Sequence, residues 1–241
     1  MAHDRGPVLT LTGHLEELRR RLALSVLALV IGVGIGTVMA DRIVGWLLKP
    51  ATPFLWRLAF FTPTEPLLAY LNVAILAGVV LAMPVLLWQL WIFVSSGLTK
   101  QEQSLGVGLI GWGSGQFVLG LACAYFLIVP LSLRILFSIG HARLEPIISI
   151  EAYLGFATTI MWWCGVIFEL PVVLFILAKL GIVTPEWLRQ SRGYAILALS
   201  VVAALVTPTT DMVSLLLVLV PMILLYELSI IVTRFATRVH P

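Results

Sequence analysis

Charge is what this sequence has least of. Only 11% of its 241 residues are Asp, Glu, Lys or Arg, where a soluble domain carries about 25%. A globular protein must meet water with polar groups, so this deficit excludes an ordinary soluble domain and points to lipid as the solvent. The chain is 60% hydrophobic, with a mean hydropathy of +1.06. At about 20 apolar residues per spanning helix, it accommodates about six spans and little else. The net charge of +3 is small. An isoelectric point near 9.1 is ordinary for loops that hold Lys and Arg, and it does not argue for nucleic acid.

Other scarcities narrow the function. The four histidines, His3, His14, His141 and His240, all lie outside the apolar runs. An intramembrane serine protease needs a base beside its serine, so Gly113-Ser114-Gly115 reads as a small-residue packing surface. Cys123 and Cys164 both fall inside apolar runs and read as buried, inert thiols. There is no metal-like Cys/His spacing and no Walker A pattern, so neither a metal centre nor that route to ATP is expected. No internal repeat or low-complexity segment is evident. Arg19-Arg20-Arg21 precede the first apolar run, which lacks an A-x-A cleavage site; a retained span is expected rather than a removed signal peptide.

Six apolar stretches stand out: Leu22 to Ala40, Leu67 to Val94, Leu105 to Leu131, Ala152 to Leu180, Tyr194 to Val206 and Met212 to Val232. They predict an all-α membrane protein in one polytopic domain covering the whole chain. The second run is long enough to tilt or project, and the fifth is short enough to require local thinning or shelter behind neighbours. The last two are joined by the tight Thr207-Pro208-Thr209-Thr210-Asp211. With the N-terminus in the cytoplasm, ten basic residues fall on that side and five on the other (Arg42, Lys49, Arg57, Arg134 and Arg143). The bias predicts both termini inside. The outer loop from Asp41 to Pro66 is rich in Pro and aromatics, among them Pro50, Trp56 and Phe60, and reads as a structured interfacial cap.

Helix starts are marked. Thr99-Lys100-Gln101-Glu102 fits a capping box before the third span. Thr184-Pro185-Glu186 offers an N-cap, a first-turn proline and a first-turn acid. Asp211 is placed to cap the sixth span. Pro84, Pro171 and Pro221 lie within spans and are expected to bend them, building a concave wall rather than a compact bundle.

The sharpest single signal is Glu169, in Ile167-Phe168-Glu169-Leu170-Pro171. A mid-span charge costs roughly 2.5–3.5 kcal/mol on insertion scales. Three uses are open: a plain helix–helix hydrogen bond, a proton site, or a polar point on a groove that receives a partner segment. Pro171 frees the carbonyl of Ile167 as a local acceptor. Glu227 lies near the cytoplasmic end and can snorkel. His14 to Leu22 is amphipathic, with Leu15, Leu18 and Leu22 on one face. Glu16 and Glu17 can pair with Arg19, Arg20 and Arg21. The segment reads either as a surface-lying helix with internal ion pairs or as a carboxylate site for an incoming cation. Glu102 is equally double: a helix cap, or a second acid on the same face. Carboxylates bind guanidinium in a bidentate, directional way that suits consecutive arginines and disfavours lysine.

These residues carry a family resemblance. His14-Leu15-x-Glu17-Leu18-Arg19-x-Arg21-Leu22 resembles the N-terminal signature of TatC, the signal-receiving subunit family of twin-arginine translocases. Phe93 to Glu102 resembles its first cytoplasmic loop, and Phe168-Glu169-Leu170-Pro171 its intramembrane acid motif. Tyr125-Phe126 with Pro130, Gly181 to Pro185, and Thr207-Pro208 with Asp211 are also similar. The matches run in order from residue 14 to about 235. Three loop positions depart: Ser96 where Pro is usual, Thr99 for an aromatic, and Gln103 for a basic residue.

The resemblance implies six helices in a glove-like, concave arrangement in a bacterial or archaeal cytoplasmic membrane, rather than in a thylakoid. It implies a non-enzymatic receptor for twin-arginine signal peptides, helping to export folded proteins on the proton-motive force. It implies single-span TatA- and TatB-type partners, self-association in a larger complex, and no cofactor. Glu17, Arg19, Phe93 and Glu102 would bind the signal peptide, Glu169 would serve the groove, and Pro50, Tyr125 and Asp211 would be structural or belong to the cap. Two rivals compete on the residues alone. A proton-coupled solute transporter using Glu169 would need paired repeats and broken helices sharing a polar site. A membrane hydrolase would need a base within the spans.

Overall fold

The computed structural model describes residues 11–52, 58–95, 103, 106–138, 147–206 and 212–237. Seven helices account for most of them: α1 Leu11–Leu47, α2 Glu65–Ser95, α3 Gly106–Ser138, α4 in two pieces (Ile150–Phe168 and Leu170–Lys179), α5 Pro185–Gln190, α6 Arg192–Val206 and α7 Met212–Thr237. Five are long and apolar enough to cross a membrane, and α6 is a shorter apolar helix. Each of the six apolar stretches in the sequence thus becomes a helix.

Several boundaries differ from expectation: α1 runs past Ala40 to Leu47 and α7 past Val232 to Thr237, and three further differences have a physical reason. The first run was expected to begin at Leu22, with His14 to Leu22 read either as a surface-lying helix or as a carboxylate site for an incoming cation. Instead, α1 is continuous over 37 residues. No Gly or Pro interrupts residues 14–31, and an i,i+4 ion pair supports the junction. At 1.5 Å per residue, α1 is about 55 Å long against a hydrocarbon core of about 30 Å, so its charged first turns project beyond it. The third helix continues past Leu131 to Ser138. Pro130 has no N–H to donate, and the helix absorbs this with a π turn over Ala124–Ile128. The fourth run is broken at Glu169, which has φ −76° and ψ −10°. Pro171 sits in the first turn of the second piece, where its missing donor costs nothing. By contrast, α2 and α7 run on through Pro84 and Pro221.

Glycines set the closest helix contacts. A Cβ added at Gly32 would overlap the Gly78 carbonyl, and one at Gly36 the Ala74 carbonyl. Gly32 and Gly36 are one turn apart on α1, so the backbones of α1 and α2 meet directly along a small-xxx-small face. Between α3 and α4 the fit is reciprocal: Phe117 lies over Gly165, and Phe168 over Gly120. The main buried cluster runs from Val44 and Leu47 of α1 through α3 and α4 to Met222 and Ile230 of α7.

The end of the bundle where α1 finishes is closed by hydrogen bonds. The last carbonyls of a helix have no partner within it. Here Tyr125 donates its hydroxyl to the Trp46 carbonyl at 2.9 Å, and Tyr153 donates to the Leu47 carbonyl at 2.6 Å. Pro50 follows in a 3-10 turn, Lys49–Ala51. The two connecting segments meet in a parallel bridge, with Ala59 N–H donating to Ile148 O at 3.1 Å and Ile150 N–H to Ala59 O at 2.8 Å. Glu65 accepts from the Phe61 N–H at 3.2 Å, and Tyr70 donates to Asp41 at 3.0 Å.

At the opposite end, α4 stops on Gly181, whose φ of +70° suits glycine. Ile182 N–H bonds to Leu177 O and Gly181 N–H to Ala178 O. Thr184 then caps α5 as the sequence indicated, accepting from Trp187 N–H at 3.2 Å. Tyr226 of α7 donates to Leu188 O at 2.7 Å and pins α5 in place.

Candidate functional site

Two polar sites interrupt this apolar scaffold. The first lies on the opening turns of α1. Glu17 and Arg21 are one turn apart, the acid preceding the base, which is the favourable order on a helix. Arg21 Nη2 lies 2.8 Å from Glu17 Oε1, and both side chains are about three-quarters buried, with 23% and 25% exposed. Arg21 Nη1 also donates to Gln89 Oε1 of α2 at 3.1 Å. One guanidinium therefore ties α1 to α2. A surface depression of about 440 Å³ is lined by Glu16, Glu17, Arg20, Arg21 and Leu24. Glu16, Arg19 and Arg20 are exposed. Phe93 is half-buried and lies one turn beyond Gln89, so the two share a face of α2.

Of the residues the sequence singled out, this end brings Glu17 and Arg19 together on α1, with Phe93 on the adjoining helix. Glu102 and its capping box lie outside the described residues, as does Asp211. Gln89 was not singled out. Its signal was available, because an uncharged polar residue inside the long apolar run from Leu67 to Val94 needs a partner. Of the expected pairings of Glu16 and Glu17 with Arg19, Arg20 and Arg21, the Glu17–Arg21 pair is the one that forms among the described residues. Arg21 is the base whose spacing also brings it to α2.

The second site is Glu169, at the break in α4. It is 7% exposed. Neither carboxyl oxygen has a hydrogen-bond partner among the described residues. Among the described residues, the carboxyl neither uses the local acceptor expected at the Ile167 carbonyl nor makes a helix–helix hydrogen bond. The Glu169 backbone N–H bonds to Val166 O at 3.1 Å instead. The carboxyl faces α3 at Gly113, where an added Cβ would lie 3.2 Å from Glu169 Oε2 and 2.7 Å from Leu87 Cδ1. Gly113 is thus the room in which the carboxyl sits. The hydroxyl of the neighbouring Ser114 is also buried without a partner among the described residues. Gly115, by contrast, faces open space, so only part of the Gly113-Ser114-Gly115 segment is a packing surface. A buried polar group without a bond costs a few kcal/mol, so such a site is suited to a partner that supplies one. Glu227 behaves differently: it pairs with Arg192 at 2.6 Å, and both are exposed.

The family of Sec-independent protein translocase proteins (TatC) matches residues 13–221. The chain belongs to the TatC family. It is 39% identical to the Sec-independent protein translocase protein TatC of Carboxydothermus hydrogenoformans, over 94% of this chain and 93% of that one. It is 35% identical to TatC of Aquifex aeolicus, over 95% and 96%. A crystal structure of the twin-arginine translocase receptor TatC superposes with a TM-score of 0.82 at 34% identity, covering 93% of this chain and all of that one. The chain is therefore the TatC component of a protein translocase and a multi-pass membrane protein. Its all-helical architecture is that of the solved receptor.

Proposed function

We propose that this chain receives twin-arginine signal peptides at the charged end of α1 and passes their cargo to a translocation assembly. The observation that carries this is Glu17. It is a carboxylate about three-quarters buried, with Oε1 engaged by Arg21, at the edge of a depression of about 440 Å³. An arginine guanidinium supplies directional, charge-assisted donors for the carboxylate. Glu102 is the second acid of the receptor, and Arg19 and Phe93 border the contact. The role is binding, with no bond made or broken in the peptide.

Sidedness follows from charge. The distribution of ten basic residues against five supports an orientation with both termini in the cytoplasm and with the Tyr125–Tyr153 cap and Pro50 on the outer face. The membrane is the cytoplasmic membrane of a bacterium or archaeon. Glu169 lies between the two faces as the polar point of the concave wall, where single-span TatA- and TatB-type partners dock. Asp211 caps α7. Export draws on the proton-motive force, and several copies of the chain assemble in the working complex.

Site-specific crosslinking tests the receptor role. A photoreactive residue at position 17 or 102 is expected to capture a twin-arginine precursor, and a twin-lysine precursor much less. Capture of both precursors equally would remove the basis for the assignment. Impermeant labelling of single cysteines tests the sidedness. A cysteine at position 144 is expected to react only from outside the cell, and reaction only from the cytoplasmic side would reverse the topology.

A further inference from the structure

Two bonds in a row connect α2 to the receptor acid: Gln89 Oε1 accepts from Arg21 Nη1, and Arg21 Nη2 donates to Glu17 Oε1. We propose that Gln89 and Arg21 are positioning residues for signal recognition, a relay from α2 that fixes the Glu17 carboxylate with Oε1 engaged and Oε2 left for the ligand's guanidinium. This rests on the reading of Glu17 as a signal-peptide acid.

The relay does what the ion pair alone does not. An i,i+4 pair on a helix surface holds its side chains weakly, because both are long and water competes for them. Arg21 lies near the membrane boundary and, untied, would extend toward water. Gln89 supplies the second tie. The guanidinium is planar and rigid, so fixing Nη1 on α2 fixes the direction of Nη2 toward Glu17. Arg21 Nε is buried and has no partner among the described residues, where the group is held through its two terminal nitrogens. The frame behind the relay is stiff. Some three turns further along, α1 and α2 meet backbone to backbone at Gly32, Gly36 and Gly78, so the distance from Gln89 to α1 is not free to drift.

The consequence is selectivity. A mobile carboxylate accommodates an ammonium as readily as a guanidinium. A fixed one, with a single oxygen to offer, rewards the ligand whose donors are themselves directional. The depression is also neutral overall, with Glu16 and Glu17 offset by Arg20 and Arg21. Geometry rather than gross charge must then distinguish the ligands. The opposite possibility is concrete: Arg21 competes with the ligand for Glu17, and loosening it would tighten binding.

The test uses the full-length protein in lipid nanodiscs, with a synthetic twin-arginine signal peptide and its twin-lysine counterpart. Gln89→Met keeps the length of the side chain and removes the acceptor. It is expected to weaken twin-arginine binding about fivefold, the worth of one hydrogen bond, while twin-lysine binding holds, so that the ratio of the two falls. Gln89→Glu restores an acceptor for Arg21 and is expected to restore the ratio. Arg21→Lys keeps the charge but cannot fork between both partners, and it is expected to lose the ratio as Gln89→Met does. It serves as the second variant if Gln89→Met fails to fold. Unchanged or tighter twin-arginine binding in the loosened variants overturns the relay. Glu17→Gln separates the two levels: if it binds like wild type, the receptor reading itself fails. If it loses binding while Gln89→Met and Arg21→Lys do not, only the relay fails.

Discussion

At the cap end, the carbonyls that α1 leaves open at Trp46 and Leu47 each accept a tyrosine hydroxyl. At the break in α4, the two oxygens of Glu169 are buried and have no partner among the described residues. Both regions are flanked by the same kinds of apolar helix. The cap closes its hydrogen bonds internally and needs nothing further. The broken helix holds a polar group whose bond must come from elsewhere. The contrast separates groups that maintain the fold from groups kept at a cost to it.

Substitutions at the two places are expected to act with opposite sign. Glu169→Leu removes an unpartnered carboxyl from an apolar setting, which relieves a few kcal/mol of burial cost. The purified protein is expected to unfold at the same or a higher temperature, while export of a twin-arginine reporter falls about tenfold or more. Glu169→Gln keeps hydrogen-bonding capacity and is expected to be milder if that capacity is what matters. A Leu variant that exports normally and unfolds earlier would make Glu169 a structural residue like those of the cap. Tyr153→Phe leaves the buried Leu47 carbonyl without its donor and is expected to cost about 1–2 kcal/mol of stability with export retained. Tyr125 is more exposed, so Tyr125→Phe is expected to cost about 0.5–1 kcal/mol. Thermal unfolding of the three variants side by side gives the order. Smallest of all is the exposed Arg192–Glu227 pair. A double-mutant cycle there is expected to return less than about 1 kcal/mol, despite its short distance.

Much of the scaffold was legible because apolar runs and helix signals are local. The six hydrophobic stretches marked all six apolar helices, Thr184 marked the start of α5, and Glu169 stood out by charge alone. What escaped the sequence depended on contacts between helices. Pro171 suggested a bend, but whether the chain kinks or breaks at Glu169 is settled by how α4 packs against α3 and α7. The π turn at Tyr125 depends on Pro130, and its use is visible only once the Trp46 carbonyl is placed beside the tyrosine. Gly32 and Gly36 look like ordinary glycines of an apolar run until Gly78 is brought against them. Gln89 belongs to the same class. Its role depends on an arginine 68 positions earlier, and no periodicity within α2 reports that.

Glu17 carries the central claim, that a partly open carboxylate at the start of α1 reads arginine. The most direct measurement is the affinity of the purified protein for a twin-arginine signal peptide and its twin-lysine counterpart, across a range of ionic strength, for wild type, Glu17→Gln, Glu102→Gln and Glu102→Lys. The expected result is arginine preferred, with wild-type affinity falling as salt shortens the Debye length. Glu17→Gln is expected to bind about 10–100-fold more weakly, the worth of a charge-assisted bond, with Glu102→Lys more damaging than Glu102→Gln. Equal binding of both peptides, or an unchanged affinity in Glu17→Gln together with a Glu102→Lys variant that loses only thermal stability, would contradict it.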